Sequence, residues 1–205
     1  LRCLAYFLDD GGEYAKQIMD GDIHTFNQKA AGLPTRDAAK TFIYATTYGG
    51  GDALIGKLVG GNAKDGKRLK SEFDKNIPSF KSLKNELSQA YKRGYLKGLD
   101  GRKLFVRSEH KCLSQLLQSA GALLCKKWLA LVDKEITRQQ LQNDALILAW
   151  VHDELQIACR TEEVAHNVGN ILRGMAEEAG THFGITSKLP IEADYAVGLT
   201  WCDTH

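Results

Sequence analysis

The strongest periodicity in the chain is a run of apolar residues at three- and four-residue spacing: Leu116, Leu117, Ala120, Leu123, Leu124, Trp128 and Leu131. It predicts a long amphipathic helix from Leu113 to about Gln140. A different period follows. ALILAWV and LQIAC are short apolar runs on either side of His152-Asp153-Glu154, and they predict two antiparallel strands joined by a tight turn. Thr161, with Glu162 and Glu163 behind it, predicts a capped helix to about Gly180. A last strand is expected over Pro190 to Val197.

The first half of the chain is punctuated more often. Residues 1–8 are apolar and too short a run for periodicity to decide between strand and helix. Gly11-Gly12 marks a turn, a short helix is expected near 12–20, and GDIHTFNQKAAG also reads as helical. Pro34-Thr35-Arg36-Asp37 is a helix start: a proline in the first turn loses no hydrogen bond, and an early aspartate complements the helix dipole. That helix should run to about Tyr48 and stop at Gly49-Gly50-Gly51. Further helices are expected over 52–59, over 63–76, and from Pro78 to about Arg93; a turn at Leu99-Asp100-Gly101-Arg102 then leads into a short strand, KLFVR.

Composition narrows the class only a little. Of 205 residues 43% are hydrophobic and 25% charged, which is ordinary for a globular chain long enough to bury a core. No stretch approaches the ~18 apolar residues of a membrane span, and no signal-peptide pattern opens the chain. The five cysteines are far apart and form no CxxC pair, which indicates neither a zinc site nor a disulfide framework and fits a reducing compartment. The net charge of +2 conceals an asymmetry. From Lys57 to Lys111 there are 15 Lys and Arg against 6 Asp and Glu, whereas from Thr161 to His205 there are 2 against 7. The basic middle suggests a polyanion-facing surface, with a solvated helix face as the alternative.

Two constellations carry candidate chemistry. Arg36, Lys40, Tyr44 and Tyr48 lie four residues apart, and a four-residue step drifts only ~40° around a helix. Arg36, Lys40 and Tyr44 therefore share a face, with both cations near the positive end of the helix dipole, where a phosphate chain binds well. His24 adds a donor if the preceding helix folds alongside. In the second constellation, Asp153 and Glu154 project from a hairpin tip, where adjacent carboxylates serve a divalent cation better than a core. A plain polar turn is the alternative.

The spacing R-x3-K-x3-Y-x3-YG formed by Arg36, Lys40, Tyr44, Tyr48 and Gly49 resembles the fingers-helix motif of family A DNA polymerases. The stretch GDIHTFNQKAAGLPTRDAAKTFIYATTYGGGDALIG is similar to the replicative enzymes of short-tailed phages, and HDE between apolar strands resembles the palm motif with the second catalytic aspartate. The resemblance implies an α+β fold: a helical fingers subdomain and a palm with a small antiparallel sheet backed by helices. It places the start of the palm in 1–20, the fingers in 21–98 and the remaining palm in 99–205.

The resemblance also implies roles. Arg36 and Lys40 would grip the triphosphate of a dNTP, with Lys40 a candidate proton donor to pyrophosphate. His24 would touch the β-phosphate side, Tyr44 would stack by the sugar and Tyr48 would lie near the templating base. Tyr rather than Phe at position 44 implies weak discrimination against chain-terminating 3′-deoxy nucleotides. Asp153 would coordinate two Mg²⁺ ions, Glu154 would be an outer or weak ligand, and His152 would contact the primer terminus. GLDGRKLFVRS and LLQSAGALLCKKW resemble DNA-contacting segments, which makes Arg102, Arg107 and Gln118 candidate contacts to primer–template DNA.

The family's other aspartate lies in a D-x-S-x-x-E-L-R motif, of which the chain opens on Leu1-Arg2, so the chain alone is expected to be inactive. A processivity partner, if any, would belong to an absent thumb. The implied setting is phage replication in the cytoplasm of an infected bacterium. A non-catalytic DNA-binding fragment and a single-subunit phage RNA polymerase are the competing readings.

Overall fold

A computed structural model describes residues 1–204. Two compact units emerge, Leu1–Ser119 and Ala120–His205. The division falls inside one long helix, whereas the expected palm and fingers subdivisions rest on the resemblance alone.

The first unit is helical: α1 Arg2–Phe7, α2 Glu13–Met19, α3 Ile23–Ala31, α4 Arg36–Thr47, α5 Asp52–Lys57, α6 Ala63–Asn76 and α7 Pro78–Lys92. A two-residue hairpin, β1 Leu96–Lys97 against β2 Lys103–Leu104, follows. Of the ambiguous residues 1–8, Arg2–Phe7 are helical, and of the expected strand KLFVR only the first two residues pair. Local chemistry explains the helix ends. Pro34, expected in the first turn of α4, stands just before it, because Thr35 is the cap and accepts the Ala38 N–H at 3.1 Å; Asn62 and Asp65 form a reciprocal capping box on α6. At the C-terminus of α4 the chain reverses through Gly49, whose φ of 83° favours glycine. A Cβ there would stand 2.3 Å from the His110 carbonyl oxygen.

Three rings at the centre of this unit set the seat of α4. Phe42 on α4 meets Phe73 on α6 edge-on at 5.4 Å, and Phe73 meets Phe80 on α7 at 5.1 Å; each is about 1% exposed. The buried face of α4 is therefore anchored, which leaves the opposite face to solvent. Helices α5 and α6 cross at glycine contacts, where a Cβ on Gly66 would lie 1.9 Å from the Asp52 carbonyl oxygen.

The second unit contains most of α8 Cys112–Arg138, the hairpin β3 Ala145–Val151 and β4 Glu154–Cys159, α9 Glu162–His182 and the short α10 Trp201–Thr204. Val132 and Ile136 of α8, Ala145 and Leu155 of the hairpin, and Val168 and Leu172 of α9 form its core. The hairpin register shifts between Ile147 and Ala149, a bulge that adds one residue to β3.

The strand expected over Pro190 to Val197 does not form. Proline has no N–H to give a ladder, and the segment's apolar side chains are used against a helix instead. Ile191 covers Gly180 and Tyr195 covers Gly169 so closely that a Cβ on either glycine would clash. The Tyr195 hydroxyl lies 3.3 Å from His166 Nδ1. Among the described residues no helix is long and apolar enough to cross a membrane.

Candidate active site

Because the buried side of α4 is occupied by Ala39, Phe42 and Ile43, its polar stripe faces water. Arg36, Lys40 and Tyr44 are exposed along that stripe, and Tyr48, the C-cap residue, is 59% exposed just beyond it. Helix α3 brings His24 to the same stripe: its ring lies 6.5 Å from that of Tyr44, centroid to centroid. The structure therefore gathers His24, Arg36, Lys40 and Tyr44 in one neighbourhood of the first unit.

The electrostatics of the cluster are specific. Burial, then the nearby Arg36 charge, lowers the His24 pKa, and its Nδ1 is buried without a hydrogen-bond partner. A neutral imidazole is favoured there. Arg36 donates its Nε to Asp22 Oδ2 at 2.7 Å. The hydrogen bond from Arg36 holds the Asp22 carboxyl well below the usual range, and the same bond raises the guanidinium. Under α3, Tyr14 and Asn27 exchange a buried hydrogen bond at 3.1–3.2 Å, and burial pushes the tyrosine hydroxyl up.

Beside Tyr48, the glycine loop is tethered from α6. Lys70 Nζ donates to the Gly50 carbonyl at 2.6 Å and meets Asp52 at 2.9 Å. No spacing or motif in the sequence marks Lys70 or Asp22. The only local signal for either was the aspartate directly before a helix, a position that favours N-caps.

The carboxylate turn belongs to the second unit. Val151 pairs with Glu154, so His152 and Asp153 form a two-residue hairpin loop. His152 takes φ 56°, the left-handed conformation that such a turn demands and a non-glycine residue resists. Two indoles brace it. Trp150 Nε1 donates to the His152 carbonyl at 2.7 Å, and Trp201 Nε1 donates to Glu154 Oε1 at 2.9 Å, an oxygen that also accepts from Gln156. Neither tryptophan was singled out for the site by the sequence.

Asp153 is exposed, and its carboxylate has no partner among the described residues. Among those residues no group of three or more His, Cys, Asp or Glu side chains is placed to hold a metal. Mg²⁺ keeps several waters and takes one or two carboxylates alongside substrate phosphates. Asp153 therefore suits a shared ligand of such an ion, with Glu154 committed in part to Trp201 and Gln156; the turn is not a closed cage.

The remaining candidates are exposed. Arg102 is paired with Asp100 at 2.6 Å, which also fixes the β1–β2 turn. Arg107 and Gln118 lie on the surface, Gln118 on α8.

Residues 1–203 match DNA polymerase family A. The DNA-directed DNA polymerases of Enterobacteria phage T3 and Escherichia phage T7 are each 43% identical to the chain over its whole length, which spans 32% of theirs. The DNA polymerase I of Geobacillus stearothermophilus is 23% identical over 99% of the chain, which spans 25% of it. In structure, 87% of the chain overlays on 35% of the POL domain of Pol1 from M. smegmatis, in complex with DNA primer-template and dNTP, at a TM-score of 0.74 and 21% identity; that likeness concerns the fold. The chain belongs to DNA polymerase family A.

Proposed function

We propose that this chain serves DNA-templated DNA synthesis, the transfer of a deoxynucleotide to a primer 3′-hydroxyl with release of pyrophosphate. The observation that carries this reading is the gathering of His24, Arg36, Lys40 and Tyr44 along the solvent face of α4 and the turn beside it. Two cations, a neutral imidazole and an aromatic ring at helical spacing offer donors for a phosphate chain and a surface for a sugar or base.

In this reading Arg36 and Lys40 bind the triphosphate, and Lys40 is the candidate donor of a proton to the departing pyrophosphate. His24 serves as a neutral donor to the β-phosphate side. Tyr44 packs by the sugar and Tyr48 by the templating base. Asp153 is the carboxylate offered to Mg²⁺, with Glu154 held back as an outer ligand by Trp201. Paired magnesium ions in such enzymes activate the attacking hydroxyl and stabilise the leaving oxygen. His152, Arg102, Arg107 and Gln118 are proposed contacts to primer–template DNA, within a fingers segment over 21–98 and palm segments on either side. With one exposed carboxylate turn to bind metal, the 205-residue chain by itself is expected to show negligible synthesis.

The test is primer extension by a chimera in which this chain replaces the matching part of the phage T7 polymerase. Template-dependent incorporation is expected, falling at least ~100-fold in Lys40→Ala and further in Asp153→Asn, which removes a metal ligand. A chimera that binds primer–template DNA in a salt-dependent way, yet incorporates nothing, would favour the non-catalytic DNA-binding reading instead.

A further inference from the structure

One carboxylate joins the first turn of α3 to the first turn of α4. Asp22 Oδ1 accepts the backbone N–H groups of His24 at 3.0 Å and Thr25 at 3.4 Å, while Oδ2 accepts the Thr25 hydroxyl at 2.8 Å and Arg36 Nε at 2.7 Å. Three of these donors belong to the turn that carries His24. The fourth is the first residue of α4. A residue needed only as an N-cap would have no use for the fourth bond, since a serine or threonine satisfies the helix end equally well.

We infer that Asp22 is a positioning residue for the triphosphate: it fixes the direction of the Arg36 guanidinium and sets its distance from His24. This rests on the proposal that Arg36 and His24 meet the phosphates. The bonded edge of the guanidinium separates positioning from competition. Asp22 takes Nε, and the two terminal nitrogens make no hydrogen bond among the described residues. A guanidinium offers five donors in a rigid planar fork, and its terminal edge alone can grip a phosphate. Carboxylate and phosphate can therefore occupy different edges of one arginine at the same time. Fixing a long side chain in advance reduces the freedom it loses when the ligand arrives.

The test is a titration of the 205-residue chain with a fluorescent N-methylanthraniloyl dATP in the presence of Mg²⁺. Four proteins are compared: wild type, Asp22→Ser, Arg36→Ala and the double variant. Serine keeps the cap but is too short and uncharged to hold Arg36. Arg36→Ala is expected to weaken binding about 10-fold, Asp22→Ser about 3- to 5-fold, and the double variant no more than Arg36→Ala alone. Asp22→Asn, which retains an acceptor at the same reach, should fall between wild type and Asp22→Ser. Equal weakening by Asp22→Ser in both backgrounds would reduce Asp22 to a helix cap and overturn the inference. So would unchanged or tighter binding by Asp22→Ser while Arg36→Ala weakens it, tighter binding being the mark of competition. Unchanged affinity in Arg36→Ala would remove the underlying phosphate-binding reading, and this inference with it.

Discussion

Replacing Phe73 by alanine tests whether the ring stack seats α4. Phe73 is 1% exposed and lies between Phe42, at 5.4 Å and 67°, and Phe80, at 5.1 Å and 83°. Truncating a buried phenylalanine costs ~3–5 kcal/mol, and aromatic edge packing adds ~0.5–1.5 kcal/mol per ring pair beyond area. Alanine removes both ring pairs at once, so the upper part of that range, ~4–5 kcal/mol, is expected. Phe73→Leu keeps most of the volume and loses only the ring geometry, so ~1–2 kcal/mol is expected.

Urea unfolding followed by far-UV circular dichroism measures both. At a slope of ~2 kcal/mol/M the alanine variant's midpoint falls by ~2 M and the leucine variant's by less than ~1 M. Trp128, Trp150 and Trp201 all lie within Ala120–His205, so tryptophan emission monitors the second unit separately. The ring stack does not seat α4 if Phe73→Ala moves the dichroism midpoint by less than ~0.5 M, or if leucine is as damaging as alanine.

Two further outcomes follow from close packing and from charge. Gly66→Ala places a Cβ 1.9 Å from the Asp52 carbonyl oxygen and 2.7 Å from the Gly56 nitrogen, so α5 must move off α6. A loss of ~2–3 kcal/mol is expected, whereas Gly174→Ala, in an exposed turn of α9 with open space around it, should gain up to ~1 kcal/mol. Chemical denaturation of the two variants checks the contrast. His24, whose folded pKa is lowered by burial and then by Arg36, binds fewer protons folded than unfolded. Its contribution is therefore fully present above the unfolded value of ~6.5 and is lost as the pH falls through the folded value. An NMR titration of the ring should give a midpoint below ~6.5; a midpoint at or above it would contradict the burial of Nδ1.

The helices were legible because their signals are local. The glycines from Gly49 to Gly51 stop α4 and Thr161 caps the start of α9, while Asp37 marks the first turn of α4 even though Pro34 stands before the Thr35 cap instead of inside the helix. The hairpin tip was legible for a similar reason: two apolar runs flanking a polar triplet leave few choices of turn. Where a partner outside the segment decides, local patterning loses its hold. Residues 190–197 have strand-like residues, but they spend Ile191 and Tyr195 on the bare glycine surfaces of α9, and nothing within the segment announces those glycines. The two-residue strand at Leu96–Lys97 exists only because Lys103–Leu104 returns beside it.

The same distinction separates the candidate site residues from those that hold them. Arg36, Lys40, Tyr44, Asp153 and Glu154 declare themselves by spacing on one helix or one turn. Their supports do not, because each joins residues far apart in sequence: Asp22 to Arg36, Lys70 to the Gly50 carbonyl, Trp201 to Glu154. A hydrogen-bonding side chain is chosen for its reach and angle to a partner, and neither quantity has a period along the chain. If the catalytic groups of such a site depend on being held in place before the substrate arrives, substitutions in the supports should weaken function through the groups they hold. Asp22 offers the sharpest instance, since its effect should vanish once Arg36 is gone.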